Sequence, residues 1–329
     1  PTVALTISPP LQTISHPSRS PTDLAGSFTL ASYSLPSHPS LKPVFTRERP
    51  QHQKVPLKEL VSHSLHGVDN TGNTRVWDSS KTLLHAVFNA KSPPLNLAAD
   101  APPDAPITVL ELGAGMAGLT GLFLYVNHPN TTIKNVVLSD GHPNCCFNNE
   151  VSIQLNKMSN EMAPPKAPKA SDAPTISVAK LLWNPSPAGA LECSSLLTAH
   201  NSGRKFDRIL VSDCVHFQAF HGGLIATIGR CLAKGGRAVL CQPDRADSLG
   251  NFEGLLEGGF GDLFGVELLI DYDERMTELH NKYKGDREFN DIYDPSIHYP
   301  KMLVLTKQRE WDEEGVDGRN ARDFEYKKK

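Results

Sequence analysis

The run Ile107-Thr-Val-Leu-Glu-Leu-Gly-Ala-Gly-Met-Ala-Gly118 constrains this chain more than any other segment. Aliphatic and β-branched residues lead directly into Gly113 and Gly115, and then into the nearly apolar stretch Leu119 to Val126. A buried strand, a glycine turn and a helix in that order form the opening unit of a parallel sheet with helices on both faces. Glycine matters at the turn because backbone without a Cβ can lie close against a ligand, so a nucleotide-like molecule is expected there. The spacing also meets G-x-G-x-x-G, which nicotinamide and flavin enzymes share and which alone does not choose between cofactors.

Further short strand patterns follow at Asn135–Ser139, Ile176–Leu182, Phe206–Ser212, Gly236–Gln242, Gly265–Asp271 and Lys301–Thr306. With Thr108–Leu112 they make seven strands, alternating with helical patterns at Gly118–Asn127, Asn144–Met158, His216–Leu232 and Ser248–Gly258, and preceded by one at Ser79–Asn89. The expected fold class is therefore α/β, a doubly wound, Rossmann-like seven-strand sheet. Residues 1–45, rich in Pro and Ser, read as a mobile arm in which only Ser27–Tyr33 looks strand-like. Residues 46–307 read as one domain with loop insertions at 91–106 and 159–174, and 308–329 as a charged, solvated tail.

The longest nearly apolar stretch is too short to cross a bilayer, so no membrane partner is expected. The formal charge of -3 offers no general attraction to phosphate backbones, which argues against a nucleic-acid partner. Six cysteines are scattered without C-x-x-C spacing, so reduced thiols in the cytoplasm or nucleus fit better than a disulfide framework, and no metal site is expected. The start, Pro1-Thr-Val-Ala, has no secretory signal and reads as a processed or truncated end.

Three carboxylates stand at strand ends. Glu111 lies two residues before the first glycine, where a negative charge can offset the ammonium and sulfonium of S-adenosylmethionine; dinucleotide enzymes normally place an apolar residue there, and the alternative is a strand-end Glu paired with a nearby Lys. Asp140, in Ser139-Asp140-Gly141, either accepts hydrogen bonds from a ribose or caps the next helix. Asp213, in Ser212-Asp213-Cys214-Val-His216-Phe217, is delivered to the carboxyl edge of the sheet, where ligands bind in such folds, and helix capping is again the alternative. Trp183 follows the third strand, where its indole either packs on adenine or fills the core.

Taken together, Asp69-Asn-Thr-Gly-Asn73, Val76-Trp77, Glu111-Leu-Gly-Ala-Gly115-Met116, Asp140-Gly141, Leu182-Trp183, Ser212-Asp213-Cys214, Asp291-Ile-Tyr293 and His298-Tyr-Pro300 resemble the seven-strand protein-lysine methyltransferases, and among them the calmodulin-lysine N-methyltransferase family. The resemblance spans about residues 60–307 and is carried most specifically by its first and last motifs. It implies an antiparallel last strand, S-adenosylmethionine as cofactor, and calmodulin as the protein partner, methylated on a lysine up to the trimethyl state. It also implies that Trp77, Glu111, Gly113, Gly115, Asp140, Gly141, Trp183 and Ser212 surround the cofactor. Asp213 would act at the lysine, and Tyr299 would either line the lysine channel or merely pack at a strand edge. The chain departs from the family pattern at His142, Asn184 and His216.

A lysine must be neutral to attack a methyl group, yet its free pKa is about 10.4. Two positive charges about 4 Å apart at an effective dielectric of about 20 repel by roughly 4 kcal/mol, about three pK units, so a sulfonium alone brings the amine towards neutrality near pH 7.5. Asp213 is then expected to orient the amine more than to deprotonate it. Arg245, Lys282, Lys284 and Arg287 are candidates for a basic face towards an acidic partner.

Overall fold

The computed structural model describes residues 6–8, 13–15, 27–50, 71–99, 105–128, 132–161, 174–286 and 292–326. Asp69, Asn70, Arg287, Asp291, the centre of the 159–174 insertion and Lys327–Lys329 lie outside the described residues.

The main sheet is built from β5 (Ile107–Leu112), β6 (Ile133–Asp140), β7 (Thr175–Lys180), β8 (Phe206–Ser212), β9 (Leu232–Gln242), β10 (Phe264–Leu269) and β11 (Lys301–Lys307). Its order is β10-β11-β9-β8-β5-β6-β7. Strands β5 to β9 pair in parallel, whereas β11 runs antiparallel to both β9 and β10, as expected of the last strand. Alternation along β5 sends Leu110 and Leu112 to one face and Ile107 and Val109 to the other. The first face is covered by α4 (Pro187–Asn201), α5 (His221–Cys231), α6 (Ser248–Phe260) and α9 (Val316–Tyr326). The second is covered by α1 (Asp78–Asn89), α2 (Leu119–Asn127) and α3 (Pro143–Glu161). Two further helices, α7 (Glu274–Gly285) and α8 (Pro295–His298), lie between β10 and β11 in the chain. Among the described residues no helix is long and apolar enough to cross a membrane.

Two segments differ from expectation. Within the region read as a mobile arm, β3 (Ser27–Ser34) pairs antiparallel with β1 (Thr6–Ser8), β2 (Thr13–Ser15) and β4 (Val44–Glu48). Ala31, Tyr33, Leu35 and Val44 are buried in the second core. The α3 side chains of Ser152 and Asn156 accept the backbone N–H groups of Arg47 and Phe45 at 3.0 Å, so the outer edge of β4 is covered.

The segment read as a solvated tail is likewise pinned down. Trp311 stacks on Phe260, Glu313 accepts from Arg230 at 2.6 Å, and fully buried Asp317 accepts from Arg309 at 2.6 Å. Charge alternation there reflects ion pairs more than solvation.

Candidate active site

The strand order reverses between β5 and β8, and a cavity of about 290 Å³ opens at the carboxyl ends of the strands around that point. Its walls come from the segment before α1 and from the turns after β5, β6, β7, β8 and β9. Trp77, Gly113, Gly115, Asp140, Gly141, Trp183, Ser212 and Asp213 all line it; Glu111 and Tyr299 do not.

The glycine turn is held in left-handed backbone at Gly113 (φ 64°) and Gly115 (φ 59°). A Cβ on Gly113 would come within 2.6 Å of Cys214 Sγ and 3.0 Å of the Trp183 ring, so this position has room only for glycine. Asp140 braces the turn: Oδ2 accepts from Gly115 N and Oδ1 from His142 N, both at 2.8 Å. Asn149, which sequence reasoning missed, accepts from Gly118 N at 2.7 Å and donates to Gly115 O at 3.0 Å.

Glu111 sits behind the turn. Its side chain shares the face of Val109, not that of Leu110 and Leu112, and its Oε2 accepts from Gly121 N in the first turn of α2 at 2.7 Å. Burial raises its pKa from 4.5 to about 7, against the opposing pull of the Gly121 and Thr120 backbone donors. Because the folded value exceeds the unfolded one, Glu111 favours folding below about pH 4.5, and that contribution is lost as pH rises through about 7. Glu111→Gln keeps an acceptor for Gly121 and removes the charge. At pH 8 the unliganded variant should melt several degrees above wild type, from a gain of roughly 1–3 kcal/mol, and the difference should nearly vanish by about pH 4. Thermal melts at the two pH values check this, and equal melting at pH 8 would contradict it.

Asp213 occupies left-handed backbone (φ 55°), with its N–H donating to Cys241 O at 3.0 Å. Arg245 Nη1 and Nη2 donate to its two oxygens at 2.7 and 2.8 Å. Arg245 is therefore part of the pocket and not free to form the basic docking face expected of it. The turn after β8 is shaped by buried Gln242, whose Oε1 accepts from Cys214 N at 2.9 Å and Val215 N at 3.1 Å. Gln242 also escaped the sequence reading; its position at the end of a buried strand on the ligand edge was the signal.

The helix expected from His216 begins only at His221, after a 3₁₀ turn at Gln218–Phe220. The intervening His216, Phe217 and Phe220 line the cavity, with neighbouring ring centroids 4.8 and 6.4 Å apart. Ser212 and Ser80 share a 2.8 Å hydrogen bond, and Trp77 lies between Arg75 and Arg245, whose guanidinium carbons are 4.1 and 5.4 Å from its ring centre.

Tyr299 is packed elsewhere. It stacks on His280 at 4.1 Å and its hydroxyl donates to Ile270 O at 2.8 Å, so the strand-edge alternative, not the lysine channel, describes it. The ring also stacks on Tyr272, with centroids 6.2 Å apart, and clusters with Met276 of α7.

A family model described as "Lysine methyltransferase" matches residues 63–257, more than half of the chain. The chain belongs to the lysine methyltransferase family. Among similar curated proteins is the calmodulin-lysine N-methyltransferase of Arabidopsis thaliana, 27% identical over 257 residues, covering 77% of this chain and 71% of that protein. Among solved structures, a TehB-like SAM-dependent methyltransferase from Corynebacterium glutamicum aligns with a TM-score of 0.37 at 14% identity, covering 75% of this chain and 93% of the other. The Methanococcus jannaschii fibrillarin pre-rRNA processing protein aligns with a TM-score of 0.39 at 13% identity, over 85% and 94% of the two chains. As a lysine methyltransferase the chain is an S-adenosylmethionine-dependent enzyme acting on protein. The cavity suits that cofactor: a turn closed to a Cβ at Gly113, the Asp140 carboxylate after the second strand, and an indole at Trp183.

Proposed function

We propose that this enzyme methylates one lysine ε-amine of calmodulin, up to the trimethyl state. The observation that carries the reading is a single cavity that joins the Gly113–Gly115 turn and Asp140 to Asp213, His216, Phe217 and Phe220. One end has the features of an adenosine site, and the other has an aromatic wall suited to an alkylamine. The Arabidopsis relative supports calmodulin as the acceptor.

When bound, S-adenosylmethionine supplies a methyl group activated by its sulfonium. The chain's own residues do the rest. Gly113 and Gly115 let backbone approach the cofactor, Asp140 accepts from its ribose, and Trp183 packs on its adenine. Trp77, Gly141 and Ser212 complete the enclosure. Glu111 acts from behind the turn as a charge, not as a direct ligand. Glu111→Gln should therefore weaken binding of the sulfonium form severalfold, and more than that of the thioether product, which keeps the ammonium but not the sulfonium charge.

Asp213 orients the amine, and the aromatic wall is Phe217 with Phe220 in place of Tyr299. Exposed Lys282 and Lys284 at the end of α7 offer cations to an acidic partner. Recombinant unmethylated calmodulin incubated with enzyme and radiolabelled S-adenosylmethionine should take up label on a single lysine. Calmodulin left unlabelled while another protein in a lysate is labelled would overturn the choice of acceptor.

A further inference from the structure

Asp213 does not face the cavity as a lone carboxylate. Both of its oxygens are gripped by the Arg245 fork, and its side chain is 6% exposed against 22% for Arg245. Such two-point pairing uses the best acceptor directions of the carboxylate and fixes its plane. Backbone on both sides holds the grip. Asp213 is left-handed (φ 55°), and so are Ala246 and Asp247 directly after Arg245 (φ 51° and 58°). Non-glycine residues in this region cost roughly 1–2 kcal/mol each and persist where the surroundings dictate them.

The charged and titratable groups facing the cavity are Asp213, Cys214 and His216 after β8, Arg245 after β9, Arg75 before α1 and Asp140 after β6. The two carboxylates and the two guanidinium groups are equal in number and opposite in formal charge. An uncompensated Asp213 would instead attract the ammonium form of an entering lysine and oppose its deprotonation.

We propose that Arg245 is a positioning residue that keeps Asp213 charge-compensated, so that the acceptor lysine enters the reaction as a neutral amine. This rests on the lysine-methyltransfer reading above. The ammonium proton passes to water; the nitrogen lone pair then forms the new N–C bond as the carbon–sulfur bond breaks, and that electron pair stays on sulfur as a thioether. Asp213, held in plane by Arg245, aligns the amine without retaining it as an ion.

The test compares Arg245→Gln and Arg245→Lys with wild type at saturating cofactor. For Arg245→Gln the rising limb of kcat against pH should move about one unit to the alkaline side, giving about tenfold slower turnover near pH 7 and near-equality by about pH 9. Arg245→Lys keeps the charge and loses the fork, so its limb should stay in place while kcat falls only a few-fold. By calorimetry in the presence of S-adenosylhomocysteine, Arg245→Gln should bind the acceptor protein near pH 7 at least as tightly as wild type, with cofactor affinity changed less than about threefold. An unshifted limb in Arg245→Gln, the same shift in both variants, or a parallel loss of cofactor affinity would overturn the inference. Active wild type with an unshifted variant refutes this role alone, whereas wild type that methylates no protein lysine refutes the proposed reaction and this role with it.

Discussion

Asp213→Ala should lower kcat by at least about a hundredfold while changing cofactor affinity by less than about threefold, because its proposed partner in the reaction is the amine. The carboxylate also neutralises Arg245 at 2.7 Å, so its removal leaves a guanidinium that is only 22% exposed and unpaired. That adds a stability loss of roughly 1–3 kcal/mol, smaller than for a fully buried pair because Trp77 and solvent still reach Arg245. Asp213→Asn separates the two effects: it can still accept from one nitrogen of the fork and should recover most of the stability but little of the rate. Kinetics, calorimetry with S-adenosylmethionine and thermal melts on both variants check this. Equal losses in turnover and cofactor affinity would make Asp213 a cofactor residue.

Gly113→Ala should weaken cofactor binding by at least about thirtyfold. Holding alanine at φ 64° costs roughly 1–2 kcal/mol, and the new methyl meets Cys214 Sγ at 2.6 Å and the Trp183 ring at 3.0 Å. Relief requires moving Cys214, which follows Asp213, or Trp183, so both ends of the cavity are disturbed. Gly254→Ala in α6 is the control. A Cβ there meets nothing within 4 Å, the residue is exposed in a helix, and the change should preserve binding while stabilising the fold by up to about 1 kcal/mol. Calorimetry on the two variants decides, and unchanged affinity in Gly113→Ala would remove the turn from the cofactor site.

The sheet was legible because each buried strand is a short aliphatic run bounded by turn residues, and Phe206–Ser212 matches its strand at both ends. The helix α4 was not, since Pro187-Ala-Gly-Ala-Leu-Glu-Cys-Ser-Ser195 mixes small and polar residues without a clear apolar stripe. Its start is marked only by Pro187 and by the Ser186 side chain accepting from Ala188 N at 3.3 Å. Eight of the ten expected residues line one cavity: Gly113, Gly115, Asp140, Gly141, Trp183, Ser212 and Asp213 end or follow strands at one edge of the sheet, and Trp77 precedes α1 there.

The orientation of Glu111 could have been read from alternation along β5, which sends it to the Val109 face and under α2. Tyr299 carried no comparable directional signal. The Asp213–Arg245 pair was out of reach because β8 and β9 meet only in three dimensions and nothing local in Gln242-Pro-Asp-Arg245 points back to Asp213.

Locating the transferred methyl groups tests the assigned chemistry most directly. Recombinant unmethylated calmodulin and a cell extract, each treated with enzyme and S-adenosylmethionine, should yield by tandem mass spectrometry one to three methyl groups on a lysine ε-amine, with far slower accumulation in samples treated with Asp213→Ala. Methyl groups found in nucleic acid or a small molecule, with every protein lysine unmodified, would contradict it.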